Sequence, residues 1–254
     1  MAVYCLHFSP CGSTALVART IAQGLGLGEV TEVDLSKQKV KYPSVGQSDV
    51  LVVAAPVYGG RIPQVAAERL RAMPPCAAVA VTAVVYGNRA YEDALLELND
   101  VLCERGVVPV ASGAFIARHV FVPEVAAGRP DAEDLEQIHN FASKAAGLVD
   151  AERVVVQVPG NRPYRDFTAM HVPPKPEADA CVRCGLCATR CPTGAISTLD
   201  PREVDSLLCI DCMRCASSCP NEGRELPEAV QEKLRAKLLP LAGVRKENEV
   251  FFNR

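Results

Sequence analysis

The sequence predicts an α/β protein: a five-stranded, doubly wound parallel sheet followed by a small α+β unit rich in cysteine. Three observations carry this reading. Across residues 1–150, short apolar runs alternate with segments whose apolar residues recur at helical spacing, the pattern of consecutive βαβ units. Two of these runs, 50–55 and 77–85, lack polar alternation, as expected of strands covered on both faces. Eight of the twelve cysteines fall between Cys181 and Cys219 at regular spacings.

Residues 2–8 form the first strand. In 13–25, Leu16, Val17, Ile21 and Leu25 share a helical face, and Gly24, Gly26 and Gly28 stop the helix. A short strand over 30–35 leads to a loop around Pro43, and the buried strand 50–55 is followed by a helix over 62–73. After the strand 77–85, the segment 90–105 places Ala94, Leu95, Leu98 and Leu102 on one helical face and ends at Gly106, a natural left-handed cap. Residues 107–116 are the fifth strand, and 131–149 the last helix of the domain, with Leu135, Ile138, Ala142, Ala145 and Val149 inward. Residues 151–178 read as a linker, because Pro159, Pro163, Pro173, Pro174 and Pro176 interrupt regular structure, although Tyr164, Phe167 and Met170 favour packing over a free tether. The cysteine-rich domain spans 179–224. Residues 225–254 are expected to be a C-terminal helix and tail, with Val230, Leu234 and Leu238 packing on the body of the protein.

With 254 residues, 49% hydrophobic and 22% charged, the chain suffices for one large domain or two modest ones and is too apolar for disorder. A formal net charge of −3 offers no positive field for nucleic acid or an anionic membrane. No apolar run approaches the ~20 residues of a membrane span. Met1 leads into the first strand without a basic leader or cleavage-type site. A soluble, cytoplasmic protein is expected.

The cysteines form two units, Cys181-x2-Cys184-x2-Cys187-x3-Cys191-Pro192 and Cys209-x2-Cys212-x2-Cys215-x3-Cys219-Pro220, a duplication with a period of 28 residues (181 to 209). Three thiolates at this spacing wrap three corners of an iron-sulfur cubane, and the fourth, followed by proline, ligates the other unit's cluster. The spacing therefore assigns Cys181, Cys184, Cys187 and Cys219 to one 4Fe-4S cluster and Cys209, Cys212, Cys215 and Cys191 to a second. Zinc sites instead pair two C-x2-C hooks across a longer loop, and disulfides are disfavoured in a reducing compartment. Five arginines nearby, Arg183, Arg190, Arg202, Arg214 and Arg224, nearly match the acidic residues of the segment and offset cluster charge.

The first strand runs into Ser9-Pro10-Cys11-Gly12-Ser13-Thr14 and then a helix. Backbone amides at a helix start, with hydroxyls as added donors, make a phosphate cradle. In an open α/β sheet, ligands sit beyond the carboxyl ends of the strands. Two further loops reach that edge: Pro56-Val57-Tyr58-Gly59-Gly60 and Tyr86-Gly87-Asn88-Arg89-Ala90-Tyr91. Arg118 and His119 follow the fifth strand there, and His119 is the candidate proton donor, set against an ordinary surface histidine. His7, His139 and His171 offer no constellation, and Cys5, Cys76 and Cys103 read as structural. The glycines at 24, 26 and 28 follow a helix instead of opening one, so they terminate it and are no dinucleotide fingerprint.

On these residues the first domain resembles flavodoxin, whose phosphate loop reads Thr/Ser-x-Thr-Gly-x-Thr and whose next two strand-end loops hold the isoalloxazine. The cysteine segment is similar to a bacterial two-cluster ferredoxin, including Gly185 and the run Pro192-Thr193-Gly194-Ala195-Ile196, and departs from it at Pro220-Asn221-Glu222-Gly223. Over nearly its full length the chain is similar to the anaerobe family of flavodoxin-ferredoxin fusion proteins. The resemblance rests on Phe8-Ser9-Pro10 with Gly12 and Thr14, Pro-Val-Tyr-Gly-Gly-Arg at 56–61, Val-Tyr-Gly-Asn-Arg-Ala-Tyr at 85–91, and the appended cysteine units. It implies that Ser9, Cys11, Gly12, Ser13 and Thr14 hold an FMN phosphate. It also implies that Pro56, Val57, Gly59, Gly60, Gly87, Asn88, Arg89 and Tyr91 belong to the flavin site, with Tyr58 and Tyr86 flanking the ring. Cys11 stands where the family commonly has Thr; a helix N-terminus lowers a thiol's pKa, and a thiolate there would repel phosphate. Low-molecular-weight tyrosine phosphatases also carry a cysteine in such a loop, but they need Cys-x5-Arg, and that position here is Val17.

The expected function is electron transfer between FMN and two 4Fe-4S clusters in one polypeptide, serving a redox protein partner or a small-molecule acceptor. Two alternatives stay open. One is a ferredoxin-fed reductase of a small organic substrate at the Tyr58, Tyr86 and His119 edge. The other is a ferredoxin with a flavin-free α/β recognition domain.

Overall fold

The computed structural model describes residues 1–167 and 169–253. Five parallel strands, β1 (Val3–His7), β2 (Val30–Asp34), β3 (Val50–Pro56), β4 (Val79–Tyr86) and β5 (Val108–Ile116), lie in the order β2-β1-β3-β4-β5. This is the strand order of the flavodoxin-like doubly wound sheet. Strand starts are in register, Val3 against Val50, Val50 against Val79 and Val79 against Val108. All of β4, and β3 from Val50 to Ala55, is buried, which is why those runs carry no polar alternation.

Alternate residues of the sheet feed two helical layers. On one face α1 (Ser13–Gly24) and α4 (Ala132–Ala146) pack Val17, Ile21, Ile138 and Phe141 on Val52, Val81 and Phe115. On the other, α2 (Gln64–Arg71) and α3 (Ala94–Cys103) pack Leu70, Leu95 and Leu98 on Leu51, Val53 and Val84. Each such side chain, removed from water, contributes about 1.5–3 kcal/mol.

The segment from 151 to 178 is strapped to the body. Val156 donates its amide to Pro109 O at 2.8 Å, and Asp93 accepts the Asn161 and Arg165 amides at 2.8 and 2.7 Å. Arg162 and Tyr164 both bind the Asp100 carboxylate. At its end β6 (Lys175–Pro176) pairs antiparallel with β7 (Arg224–Glu225), enclosing the short helices α5 (Leu186–Arg190) and α6 (Arg214–Ser217) in sequence.

The C-terminal helix is present as α7 (Glu228–Leu238), but the expected tail is not a tail. Glu249–Phe252 form β8, which adds antiparallel to β5 as a sixth strand. Phe252 stacks on Phe141 with ring centroids 5.4 Å apart, and Asn248 Oδ1 accepts the Ile116 amide at 2.9 Å. Among the described residues no helix is long and apolar enough to cross a membrane.

Because β5 is apolar and buried over Pro109–Ile116, removing residues 249–254 leaves an unpaired sheet edge. Sedimentation velocity on the truncated protein is expected to show concentration-dependent self-association that the full chain lacks.

Candidate functional site

Three loops at the carboxyl edge of the sheet are shaped by glycine. Between β1 and α1, Gly12 takes φ 95° and offers no side-chain cap, which leaves the Ser13 and Thr14 amides of the first turn to a ligand. Ser9 braces the turn: its amide donates to Ser36 Oγ at 2.6 Å, and its own Oγ accepts the Ala15 amide at 2.9 Å. After β3, Tyr58 and Arg61 exchange backbone hydrogen bonds (2.9 and 3.2 Å) around Gly59 (φ 61°) and Gly60 (φ 90°), the conformation of a tight hairpin turn that only glycine enters freely. Arg61 clamps the buried Glu97 through Nε and Nη2 (2.8 and 2.7 Å), while Glu97 also accepts the Ile62 amide at 3.0 Å. A Cβ at Gly60 would overlap the Glu92 carboxylate.

After β4, Gly87 lets the His119 ring approach, since a Cβ there would overlap it. His119 Nδ1 accepts the Phe121 amide at 3.2 Å, so the neutral ring carries its proton on Nε2. Burial, with the Arg89 charge adding, pushes the His119 pKa down to about 4.

These loops surround a cleft of about 270 Å³. Ser9, Cys11, Ser13, Thr14, Pro56, Val57, Tyr58, Gly59, Gly60, Tyr86, Gly87, Arg89 and His119 line it, as the sequence suggested. Burial pushes the Tyr58 phenol well above its usual range, with Cys212, Cys11 and Asp211 adding to the shift. Besides Gly12, two expected residues do not reach the cleft. Asn88 is buried with its amide nitrogen donating to Leu241 O and Val244 O (3.2 and 2.7 Å), and Tyr91 donates its hydroxyl to Glu249 at 2.8 Å. Both tie the C-terminal segment to the loop. Tyr86 is also mostly buried, edge-on to Tyr91 at 5.5 Å, so its ring belongs more to the core than to a ligand face. Gly12 shapes the first loop without lining the cleft.

The remaining walls were not legible in advance. Phe167 and Met170 of the strap, Ile210, Asp211 and Cys212 of the second cysteine unit, and Leu234, Lys237 and Leu238 of α7 close the cleft from three sides. Arg118 and Phe121 complete it.

The cysteine units share a backbone. Arg183 and Gly185 in the first, and their counterparts Asp211 and Met213 in the second, all have positive φ (55°, 76°, 54° and 59°). Cys191 of the first unit lies with Cys209, Cys212 and Cys215 of the second in the lining of one small cavity. Burial pushes the Cys209 and Cys215 thiols up to about 11 and about 12 and Cys212 higher still. An all-sulfur donor set suits an iron-sulfur cluster, and loading it would release these protons. Of the other set, Cys184 is exposed, and Cys219 Sγ accepts the Gly223 amide at 3.3 Å.

The second unit touches the loop between β1 and α1 directly. Cys11 donates its thiol to Cys212 O at 3.2 Å and accepts from Ser217 Oγ at 3.6 Å. Gln38 donates to Cys191 O at 3.0 Å, and Arg69 to Pro192 O at 2.6 Å. Burial in this junction raises the Cys11 thiol pKa, which corrects the lowering expected from the helix terminus; the thiol does not become an anion that would repel phosphate.

A family described as 4Fe-4S binding domain matches residues 174–197, supporting at least one cluster. No curated protein matches the chain. Among solved structures it is similar to a flavodoxin from the domain Archaea (15% identity, TM-score 0.42, covering 59% of this chain and 99% of that one). It is similar also to the Streptococcus pneumonia TIGR4 flavodoxin (20% identity, TM-score 0.41, 59% and 100%) and to an NADH:FMN oxidoreductase in its apo form (19% identity, TM-score 0.42, 61% and 94%). The chain joins a doubly wound α/β domain of flavodoxin-like strand order to a 4Fe-4S binding domain. That combination supports an electron-transfer or oxidoreductase role.

Gly60→Ala, strained by φ and by overlap with Glu92, is expected to cost about 1–3 kcal/mol in chemical unfolding. For His119 the folded pKa of about 4 lies below its ordinary 6.5, so the unfolded chain takes up the proton first. Stability is expected to be lost as pH falls from about 6.5 toward about 4, and unfolding at pH 7 and pH 5 should show a smaller loss in His119→Asn than in the natural chain.

Proposed function

We propose that this chain is an electron-transfer flavoprotein whose cleft holds FMN and whose two cysteine sets hold two 4Fe-4S clusters. The observation that supports this most is that Cys212 walls both the cleft and the four-cysteine cavity. In this reading residues 1–150 are the FMN-binding domain, 151–178 an ordered strap, 179–224 the two-cluster domain, and 225–254 a helix and strand that return to the sheet. Gly12, Ser13 and Thr14, with Ser9 as brace, offer an uncapped helix start to a phosphate. The rigid 56–61 turn presents peptide groups and Tyr58 to a flat ring. When bound, FMN supplies one- and two-electron chemistry and the clusters one-electron chemistry. His119 carries its proton on Nε2 at the cleft wall; with its pKa pushed down to about 4 the ring is neutral near pH 7, so this N–H serves as a hydrogen-bond donor and not as an acid. Covalent linkage of both domains makes the exchange intramolecular. The twelve free cysteines suit a reducing compartment such as the cytoplasm.

A second reading, reduction of a small organic acceptor in the same cleft, draws support from the strap and α7. They supply apolar walls and Lys237 around the flavin edge that a bare carrier would leave open to a protein partner.

Protein purified without oxygen is expected to carry about one FMN and about eight irons per chain, read from its spectrum, acid-released flavin and iron assay. Eight irons with no flavin, even after FMN is added, would select the flavin-free recognition domain instead.

A further inference from the structure

We propose that Arg214 donates an N–H to the cluster held by Cys191, Cys209, Cys212 and Cys215 and raises its reduction potential, so that the two repeats hold inequivalent centres. The proposal deepens the two-cluster reading and rests on it. Arg214 lies in the second hook, between Cys212 and Cys215, and lines the cavity bounded by the four cysteines. Its Nη1 is buried and has no hydrogen-bond partner among the described residues, while Nη2 lies 4.0 Å from Asp34 Oδ2 at the end of β2. A guanidinium has five donors and no acceptor, so a buried N–H without a partner is costly. Cluster sulfur is the acceptor such a donor lacks.

The duplication supplies an internal control. Twenty-eight residues earlier the position of Arg214 is Leu186, and that of the buried Arg224 is Ile196. Arg214 in the wall of this cavity thus stands where the other repeat has the aliphatic Leu186, whereas Ile196, the counterpart of Arg224, lines this same cavity beside it. Arg224 is satisfied, binding Pro174 O at 3.0 Å and also Pro201 O, so it brings charge without an unmet donor. The opposing charge is Asp211, whose Oδ1 lies 3.9 Å from Cys209 Sγ, but this carboxylate already accepts three backbone amides. Its counterpart Arg183 is exposed, where solvent screens it.

Reduction adds an electron to an anionic cluster. A cation that donates to cluster sulfur in a buried site stabilises the added charge, and hydrogen bonding to sulfur is an established lever on such potentials. The cluster affected shares Cys212 with the cleft. Arg214 therefore makes the cleft-side centre a better electron acceptor, and Asp34 links that effect to the α/β domain.

The test is an EPR-monitored redox titration of cluster-loaded full-length protein carrying Arg214→Leu, Arg214→Lys or the reciprocal Leu186→Arg. Arg214→Leu is expected to lower one of two waves by about tenfold in the one-electron equilibrium, about 59 mV, and to leave the other in place. Arg214→Lys should give a smaller fall, and Leu186→Arg should raise the wave that Arg214→Leu leaves unmoved. If Arg214→Leu loses iron, the other two variants decide. Both waves moving together, or neither, in protein with about eight irons overturns the role of Arg214. About four irons in the natural chain overturns the two-cluster reading instead.

Discussion

The junction depends on a buried carboxylate. Asp211 sits in the second cysteine hook, 7% exposed, and accepts the amides of Met170, His171 and Val172 at 2.9, 3.0 and 3.1 Å. Hydrogen bonds to an ionised acceptor are roughly twice as strong as neutral ones, and three on one group hold the strap to the hook in a fixed register. The hook's next residue, Cys212, then meets Cys11 in the loop between β1 and α1, and Ile210, Asp211 and Cys212 become cleft wall. The orphaned Arg214 donor and the burial of Cys209 and Cys215 follow from the same seating.

The C-terminal segment provides the complementary brace. Leu234 and Leu238 of α7 pack with Phe121, Val122 and Val125, and Arg235 pairs with Glu124 at 2.5 Å. Beyond the helix, Asn88 donates to Leu241 O and Val244 O, Tyr91 donates to Glu249, and Asn248 binds both Ile116 and Asp134. Loops that in an isolated sheet would be free at their tips are thereby held by chain that returns across the carboxyl edge. Asn88 and Tyr91 show the cost to sequence reading: polar and aromatic residues in a ligand-edge loop look like ligand contacts, but here they answer a segment about 150 positions away.

The parts of the fold that were legible are the parts written in short spacing. Val50–Pro56 and Val79–Tyr86 could be read as doubly covered strands because burial on both faces removes alternation, and α1 and α4 because their apolar residues recur each turn. The cysteine assignment was equally local, three residues apart within each hook, and the interleaving of Cys191 with the second unit followed from its trailing proline. β8 was not legible, since a four-residue strand has too little period to distinguish it from a tail and its partner lies far back in the chain. The pKa of Cys11 was misjudged for a related reason: a helix terminus is visible in sequence, whereas the desolvation of the thiol at the junction, which outweighs the lowering by Ser217 and Arg214, is not.

By itself, the sequence determined the α/β alternation and the glycine-shaped carboxyl-edge loops, and it suggested the grouping of eight cysteines into two sets, because each depends on residues within a turn or a repeat of one another. Only the tertiary structure decided that the second set rather than the first meets the cleft, that the strap and α7 enclose it, and that one arginine is left with an unmet donor. Those outcomes rest on contacts such as Cys11 with Cys212, 201 residues apart, and no local pattern encodes which surfaces of two separately legible units will be desolvated against each other.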